Sequence, residues 1–123
     1  MIIMLFEYTL HPDYLAEYGE HAGILRDLVN EVDGFLSVER YRSESDPDKL
    51  LALGVFRDEQ AVSEWRNHPA HRQVQRLGRL RLITDYRLRM ATLKRDYGMD
   101  VRHTAPHDSQ VFHASHTLNI EEA

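Results

Sequence analysis

The fold is decided by residues 35–57, which read FLSVERYRSESDPDKLLALGVFR. The two ends of this stretch, residues 35–43 and 50–57, are rich in the β-branched, aromatic and aliphatic residues that are typical of strands. Between them, Asp46-Pro47-Asp48 supplies the residue types that favour a tight turn. The stretch therefore predicts two strands that pair as an antiparallel hairpin.

The residues before the hairpin predict a strand and then a long helix. Residues 2–9 (IIMLFEYT) have the composition of a mostly buried strand, and Pro12 suits the first turn of a helix. Gly34 follows the last periodic apolar residue, where helices commonly stop in a left-handed conformation. The helix between these points carries one apolar stripe with steps of three and four residues: Tyr14, Tyr18, Ala22, Leu25, Val29 and Val32.

The residues after the hairpin predict a helix in two pieces. Asp58 is a suitable N-cap for a helix that places Ala61 and Trp65 on one face. Pro69 interrupts this helix and can start another, because proline has no N–H for a helix interior but fits the first turn. We expect the second piece to end at Gly78.

The last predicted element completes a familiar arrangement. Residues 82–93 (LITDYRLRMATL) alternate in character, as a strand does when its two faces differ. The order β-α-β-β-α-β predicts an α+β, ferredoxin-like domain, a four-stranded antiparallel sheet with helices on one face. We expect the other face to mix apolar and charged side chains and to be covered by a second subunit, which makes the protein a homodimer. The residues expected on that face are Val38, Arg40, Arg87 and Arg89.

Charge is strongly segregated along the 123 residues, whose net charge is -5. Residues 1–65 carry 14 acidic and 5 basic side chains, residues 66–95 carry 9 basic side chains and only Asp85, and residues 96–123 return to -4. Because the rest of the chain holds enough acid to pair with the basic block, the pattern favours internal and intersubunit pairing over nucleic-acid binding. We expect residues 1–98 to form the domain and residues 99–123 to be a C-terminal tail or arm, docked with its acids near the basic block.

Several classes of chemistry have no support in the sequence. The absence of cysteine excludes thiol nucleophiles, thiolate metal sites and disulfides. No apolar stretch approaches the ~20 residues that span a bilayer, so we expect a cytoplasmic protein that does not bind membranes. No glycine-rich phosphate loop or GxSxG motif is present. Two histidine pairs, His68 with His71 and His113 with His116, have metal-like spacing but lack an accompanying acid cluster, so no metal site is predicted.

The best candidate for chemistry is the segment from Trp65 to His71, which reads WRNHPAH. A helix break at Pro69 exposes backbone groups and widens the gap between helix and sheet, which favours a cavity. An imidazole beside an indole can act as a base near neutral pH. The competing interpretation is that Trp65 is a core residue and that His68 and His71 are surface or capping residues.

The hairpin and the segment after it resemble the antibiotic biosynthesis monooxygenase (ABM) family. The resemblance covers about residues 1–99 and is carried by Gly34-Phe35, Glu39-Arg40-Tyr41, Trp65-Arg66 followed by His71, and Arg95-Asp96-Tyr97-Gly98. It implies a ferredoxin-like protomer that pairs sheet to sheet into a dimeric α+β barrel. It also implies oxygenation of a polycyclic phenol or quinol by molecular oxygen, without flavin, haem or metal.

The implied reaction needs a base, hydrogen-bond donors for an oxyanion and a dry aromatic pocket. His71 is the expected base, with His68 as the alternative, and Trp65 and His71 occupy positions that match the family pattern. Tyr86 and Tyr41 are the expected donors. The expected walls are Trp65, Phe6, Phe56 and Met90.

Two other functions remain open from sequence. Haem-degrading enzymes of the same superfamily resemble this chain, but they use a first-strand asparagine and a histidine where Gln75 stands here. The asparagines of this chain are Asn30, Asn67 and Asn119, none of them in the first strand. A non-catalytic ligand-binding or structural dimer is the second alternative.

Overall fold

A computed structural model describes the backbone of residues 1–122 and the side chains of residues 1–114. The chain divides into two units, Met1–Thr92 and Leu93–Ala123. The elements of the first unit are β1 (Ile2–Leu10), a 3-10 turn (Pro12–Tyr14), α1 (Leu15–Val29), β2 (Phe35–Arg42), β3 (Lys49–Phe56), α2 (Glu59–Arg66), α3 (Pro69–Leu77), a π-helical turn (Gly78–Leu82) and β4 (Ile83–Thr92). The second unit contains α4 (His107–Glu122), a helix that the sequence patterns did not predict.

The first unit confirms the predicted ferredoxin-like fold. Its four strands lie in the order β2-β3-β1-β4, and each neighbouring pair is antiparallel. The hairpin joins β2 to β3, while the two helical connections bring β1 and β4 to the far side of β3. The sheet is open.

The hydrophobic core lies at one end of the sheet, between the strands and helices α1 and α2. Ile2 pairs with Phe56 across β1 and β3, and both side chains are buried together with Trp65 of α2. The Phe35 ring meets the Phe56 ring edge-on at 5.7 Å between centroids. The other buried members of this cluster are Val29, Ala61 and Val62.

Gly34 enters this core in the left-handed conformation that the sequence predicted. Its φ is +91°, and a Cβ atom there would lie 2.8 Å from the Cβ of Ala61. The helix itself ends earlier than expected, at Val29, and residues 30–33 turn towards β2. Glycine is therefore required at position 34 both by the backbone angle and by the close approach of α2.

A β-bulge at the start of β2 places Val38 and Arg40 on the face of the sheet opposite to the predicted one. The register shifts between Phe35 and Ser37, so that Val38 pairs with Gly54 and Arg40 pairs with Ala52. Because an extra residue in one strand reverses which side chains face which side, Val38 and Arg40 lie on the helix-covered face and not on the face that we predicted.

The face opposite the helices keeps a mixed apolar and charged character, and Arg87 and Arg89 lie on it as predicted. Glu7 lies beside Arg87 across β1 and β4, and its carboxylate pairs with Arg89 at 3.2 Å. The half-exposed apolar side chains of this face are Ile3, Leu5, Leu51, Leu53 and Val55. The predicted combination of aliphatic and charged groups is thus present, with Val38 and Arg40 replaced by these strand residues.

The α-helix α3 ends at Leu77 with Gly78 as its C-cap, as expected, but the helical path does not stop there. The chain continues through a π-helical turn to Leu82, whose side chain is 1% exposed and whose carbonyl accepts a hydrogen bond of 2.8 Å from the His11 backbone N–H. Gly78 has a helical φ of −56°, so its flexibility is not used as a stop. Burial of Leu82 and its bond to His11 hold the wide turn in place, and β4 begins one residue later than expected.

Candidate functional site

The helical connection that carries the Trp65–His71 segment runs from one end of the sheet to the other. It leaves β3 after Phe56, which pairs with Ile2, and it returns to the sheet at Ile83, which pairs with Leu10 at the opposite end of β1. The start of α2 is fixed by Asp58, whose carboxylate accepts a 2.9 Å hydrogen bond from the Ala61 N–H, as predicted. The junction between α2 and α3 therefore lies between the two ends of the sheet.

Trp65 and His71 form a stacked pair at this junction. The ring centroids are 4.2 Å apart and the ring planes differ by 18°. The indole is 8% exposed, because its other side packs in the core with Phe56. The imidazole is half-buried, so it rests on an aromatic wall and keeps an accessible edge.

The hydrogen bond of His71 defines which of its ring nitrogens can act as a base. Nδ1 lies 3.0 Å from the backbone carbonyl oxygen of Trp65. Because a carbonyl can only accept, Nδ1 carries the hydrogen and donates it, and Nε2 of the neutral ring keeps its lone pair. Burial lowers the pKa of His71 from 6.5, while the bond to the Trp65 carbonyl acts in the opposite direction. The ring is therefore neutral at pH 7 and offers Nε2 as a proton acceptor.

His68 is the N-cap of α3, the capping role that the competing interpretation gave it. Its Nδ1 accepts a 3.1 Å hydrogen bond from the Ala70 N–H. Its ring centroid lies 5.7 Å from that of Trp65 at a tilt of 53°. With Nδ1 occupied by the helix terminus, His68 serves the backbone first and is the weaker candidate for the base.

The gap between α2 and α3 is closed by side chains that the sequence analysis did not assign to the site. Gln75 donates from Nε2 to the Arg66 carbonyl at 3.0 Å, and Arg72 donates to the Asn67 side-chain oxygen at 2.7 Å. Both reach back from α3 to the end of α2. Their spacing from Pro69 is the only sequence signal that could have identified them, since a helix break leaves carbonyls that need donors.

The other predicted site residues fall in three places. Phe56 lies in the core cluster with Trp65. Phe6, Tyr86 and Met90 share the helix-covered face of β1 and β4, where the Phe6 and Tyr86 rings meet edge-on at 5.7 Å. Tyr41 lies on the opposite face of the sheet, and its hydroxyl donates a 3.0 Å hydrogen bond to Glu39. The structure thus brings Trp65, His68 and His71 together and separates Tyr41 from them.

A hydrogen-bonded tyrosine pair on the helix-covered face, with one buried and one partly buried member, was not predicted from the sequence. The hydroxyls of Tyr8 in β1 and Tyr18 in α1 are 2.6 Å apart, and Tyr8 is only 2% exposed. The Phe6 ring stacks on Tyr8 at 4.8 Å, and the Arg40 guanidinium lies 5.7 Å from the centre of the Tyr18 ring. Burial raises the pKa of Tyr18 well above its ordinary value, so the Tyr18 hydroxyl keeps its proton at neutral pH. One proton joins the two oxygens and the second remains to be donated elsewhere.

The open face of the sheet carries a shallow depression of about 260 Å³. The side chains around it are charged, namely Glu7, Lys49, Asp85, Arg87 and Arg89. Among residues 1–114, no three histidine, aspartate or glutamate side chains come close enough together to hold a metal ion. The His113–His116 pair cannot be assessed in the same way, because His116 lies outside the described side chains. No helix in the described part of the chain is both long and apolar enough to cross a membrane.

Comparison with known proteins agrees with this architecture. Residues 1–77 match the model of the family described as antibiotic biosynthesis monooxygenase. The chain is 34% identical over 90 residues to a protein of Pyricularia oryzae named jasmonate monooxygenase ABM, a match that covers 73% of this chain and 42% of that protein. The chain therefore spans less than half the length of this relative.

Solved structures share the fold at low sequence identity. Rv0793 from Mycobacterium tuberculosis superimposes with a TM-score of 0.69 at 14% identity, over 79% of this chain and 98% of that one. SnoaB, a cofactor-independent oxygenase from Streptomyces nogalater, superimposes with a TM-score of 0.65 at 15% identity, over 77% of this chain and 94% of that one.

The fold and the site thus define a ferredoxin-like α+β protein in which a histidine stacks on a tryptophan at the junction of α2 and α3. The chain belongs to the antibiotic biosynthesis monooxygenase family.

Proposed function

We propose that this protein is a cofactor-independent monooxygenase that oxidises a phenol or quinol, with His71 as the general base. The observation that carries the proposal is the stacking of His71 on the buried Trp65, with Nδ1 held by the Trp65 carbonyl and Nε2 available. Family membership supports monooxygenase chemistry, and the geometry supports the assignment of the base.

The reaction starts with a proton transfer to Nε2 of His71. Molecular oxygen has two unpaired electrons, so the substrate must supply the first electron itself, and a phenolate does this more readily than a phenol. For a phenol that becomes a quinone, one oxygen atom enters the ring as a carbonyl. The other oxygen leaves as water with the hydrogens of the ring C–H and the hydroxyl, so the substrate supplies all the electrons.

The Tyr8–Tyr18 pair is the proposed donor to the substrate oxyanion. Its spare proton lies on the helix-covered face, beside the Phe6 ring, and the Arg40 guanidinium adds positive charge near Tyr18. Such donors stabilise charge that develops in a water-poor site. Tyr86 stands next to Phe6 and is the second proposed donor.

A carboxylate-bearing substrate is the second candidate. The relative from Pyricularia oryzae is named for jasmonate, a carboxylate. Within residues 1–114, Arg40 makes no ion pair with a carboxylate, although it lies on the same face as the tyrosine pair. An unpaired arginine is suited to bind a substrate carboxylate.

The test is oxygen consumption with purified protein and two sets of compounds, phenols or quinols and cyclic carboxylates. Binding can be followed separately, because the chain has one tryptophan, so its fluorescence reports on Trp65 alone. Turnover of a phenol supports the first proposal and turnover of a carboxylate supports the second. Quenching of Trp65 without oxygen uptake would indicate a ligand-binding protein, and a new haem absorbance band with haem breakdown would indicate the haem-degrading alternative.

The pH dependence of the reaction provides a direct check on the base. Since burial holds the pKa of His71 below 6.5, we expect the acid limb of kcat/KM to be centred below pH 6.5. In the unfolded chain the histidine takes up its proton at higher pH, so the same group also makes the fold less stable as the pH falls below 6.5. The measurement is kcat/KM between about pH 5 and 8. An acid limb centred above pH 6.5 would contradict the assignment.

We also propose that the protein is a homodimer joined through the open face of the sheet. The half-exposed Leu5, Leu51 and Leu53 lie there beside the Glu7–Arg89 ion pair, and an apolar sheet face of this kind favours a partner. The earlier prediction that residues 99–123 form an arm of the dimer is part of this proposal.

Substitution on the open face should dissociate the dimer. Leu53→Glu would place an unpaired carboxylate in each copy of the interface, at a cost of about 3 kcal/mol or more, which is roughly a 100-fold rise in Kd. Leu15→Glu is the matched control, because Leu15 is exposed on α1. Sedimentation of the three proteins measures the effect. A wild-type monomer at micromolar concentration, or a Leu53→Glu dimer of unchanged Kd, would refute the interface.

A further inference from the structure

The carbonyl of Trp65 lacks the hydrogen bond that it would accept from the next turn of a continuous helix. In a continuous helix, this carbonyl would accept a hydrogen bond from the N–H of residue 69. Residue 69 is proline and has no N–H. Proline also pushes the preceding residue out of the helical region, and His68 accordingly has φ −59° and ψ 128°.

Two groups take the place of the missing donor. The His68 backbone N–H lies 3.1 Å from the Trp65 carbonyl, and Nδ1 of His71 lies 3.0 Å from it. The second of these bonds decides the tautomer of His71, and it also keeps the imidazole plane against the indole.

We propose that Pro69 is a positioning residue, which holds the proton of His71 on Nδ1 by leaving the Trp65 carbonyl without a helical donor. The effect on catalysis rests on the proposed function, in which Nε2 accepts the substrate proton. The effect on the tautomer does not, because it is a property of the folded protein alone.

The chain contains a second histidine–proline pair, His11-Pro12, which serves as a control for His68-Pro69 within the same protein. His11 precedes Pro12 at the start of the 3-10 turn, and its Nδ1 accepts a 3.1 Å hydrogen bond from the Asp13 N–H, just as His68 accepts from Ala70. The residue that corresponds to His71 is Tyr14, and the residue four before Pro12 is Tyr8, in a strand. Pro12 therefore frees no helical carbonyl, and Pro12→Ala is the matched control for Pro69→Ala.

The experiment is nitrogen-15 NMR of the histidine side chains in the full chain, with His71 assigned through its loss in His71→Gln. In the wild type and in Pro12→Ala, we expect His71 to carry its proton on Nδ1. In Pro69→Ala, the new N–H competes for the Trp65 carbonyl, and we expect the Nε2-protonated form, which free imidazole side chains prefer, to become the major one. In that variant kcat should fall about 10- to 100-fold with KM little changed, as expected for a misplaced catalytic group.

The possible results separate the two ideas. An Nδ1-protonated His71 in Pro69→Ala would overturn the role of Pro69. An Nε2-protonated His71 in the wild type would overturn it too, and this second measurement does not depend on whether the variant folds. A tautomer change without any oxygenase activity in the wild type would support the role of Pro69 and refute the proposed function.

Discussion

His71→Ala should lower kcat of the proposed oxygenation by about 10²–10⁴-fold, the usual contribution of a general base. The variant removes the only imidazole of the site whose Nε2 is free while its Nδ1 is bonded to a carbonyl. Because the phenolate is the form that reacts with oxygen, the loss should be smaller at high pH, where the substrate loses its proton unaided. The measurement is kcat at several pH values for wild type and variant.

Two histidine variants serve as controls for this result. His68→Ala removes an N-cap and should cost much less activity, together with about 1 kcal/mol of stability. His11→Ala removes the corresponding cap of the 3-10 turn and should leave kcat unchanged. Unchanged turnover in His71→Ala, with stability lowered by about 1 kcal/mol, would mean that His71 only packs against Trp65.

Trp65→Ala should lower the free energy of unfolding by about 3–5 kcal/mol, as expected for truncation of a large buried aromatic side chain. Trp65 is 8% exposed and packs with Phe56 and Val62, so its removal leaves a cavity that the surrounding strands cannot close. The same change removes the surface on which the His71 ring lies. Urea unfolding followed by circular dichroism is the suitable measurement, since the variant has no tryptophan fluorescence.

Trp65→Phe is the matched variant for this prediction. It keeps an apolar ring in the core. Its loss in free energy of unfolding should therefore be less than half of the loss in Trp65→Ala. A loss below about 1 kcal/mol in Trp65→Ala would show that the indole is not part of the core. Equal losses in both variants would show that the effect depends on the indole itself and not on filled volume.

The sequence by itself determined the strands and main helices of the first unit and their order, but not α4 of the second unit. Alternation and composition identified the strands, because side chains in a strand point to opposite faces with a period of two. Asp58 and Pro69 identified the start and the break of the helical connection, because capping and the missing proline N–H act within a few residues. The capping role of His68, which the competing interpretation offered, follows from the same local rules and is confirmed.

Local patterns also identified part of the candidate site. Trp65 and His71 were placed near each other by helical spacing around Pro69, and the structure stacks their rings. The bond from Nδ1 to the Trp65 carbonyl could not be read from spacing, because it depends on the angle at which α3 leaves α2.

The tertiary structure alone decided which face of the sheet each side chain occupies and which distant groups meet. One bulge after Phe35 moved Arg40 to the helix-covered face, and Tyr41 lies on the other face, away from His71. The Tyr8–Tyr18 hydrogen bond joins β1 to α1 through the packing of the helix on the sheet. Burial of Leu82 accompanies a π-helical turn after Gly78, where the local pattern predicted that the helical path stops. In each case a gain in packing or pairing between segments outweighs a local preference of less than about 1 kcal/mol, so no local pattern could have predicted it.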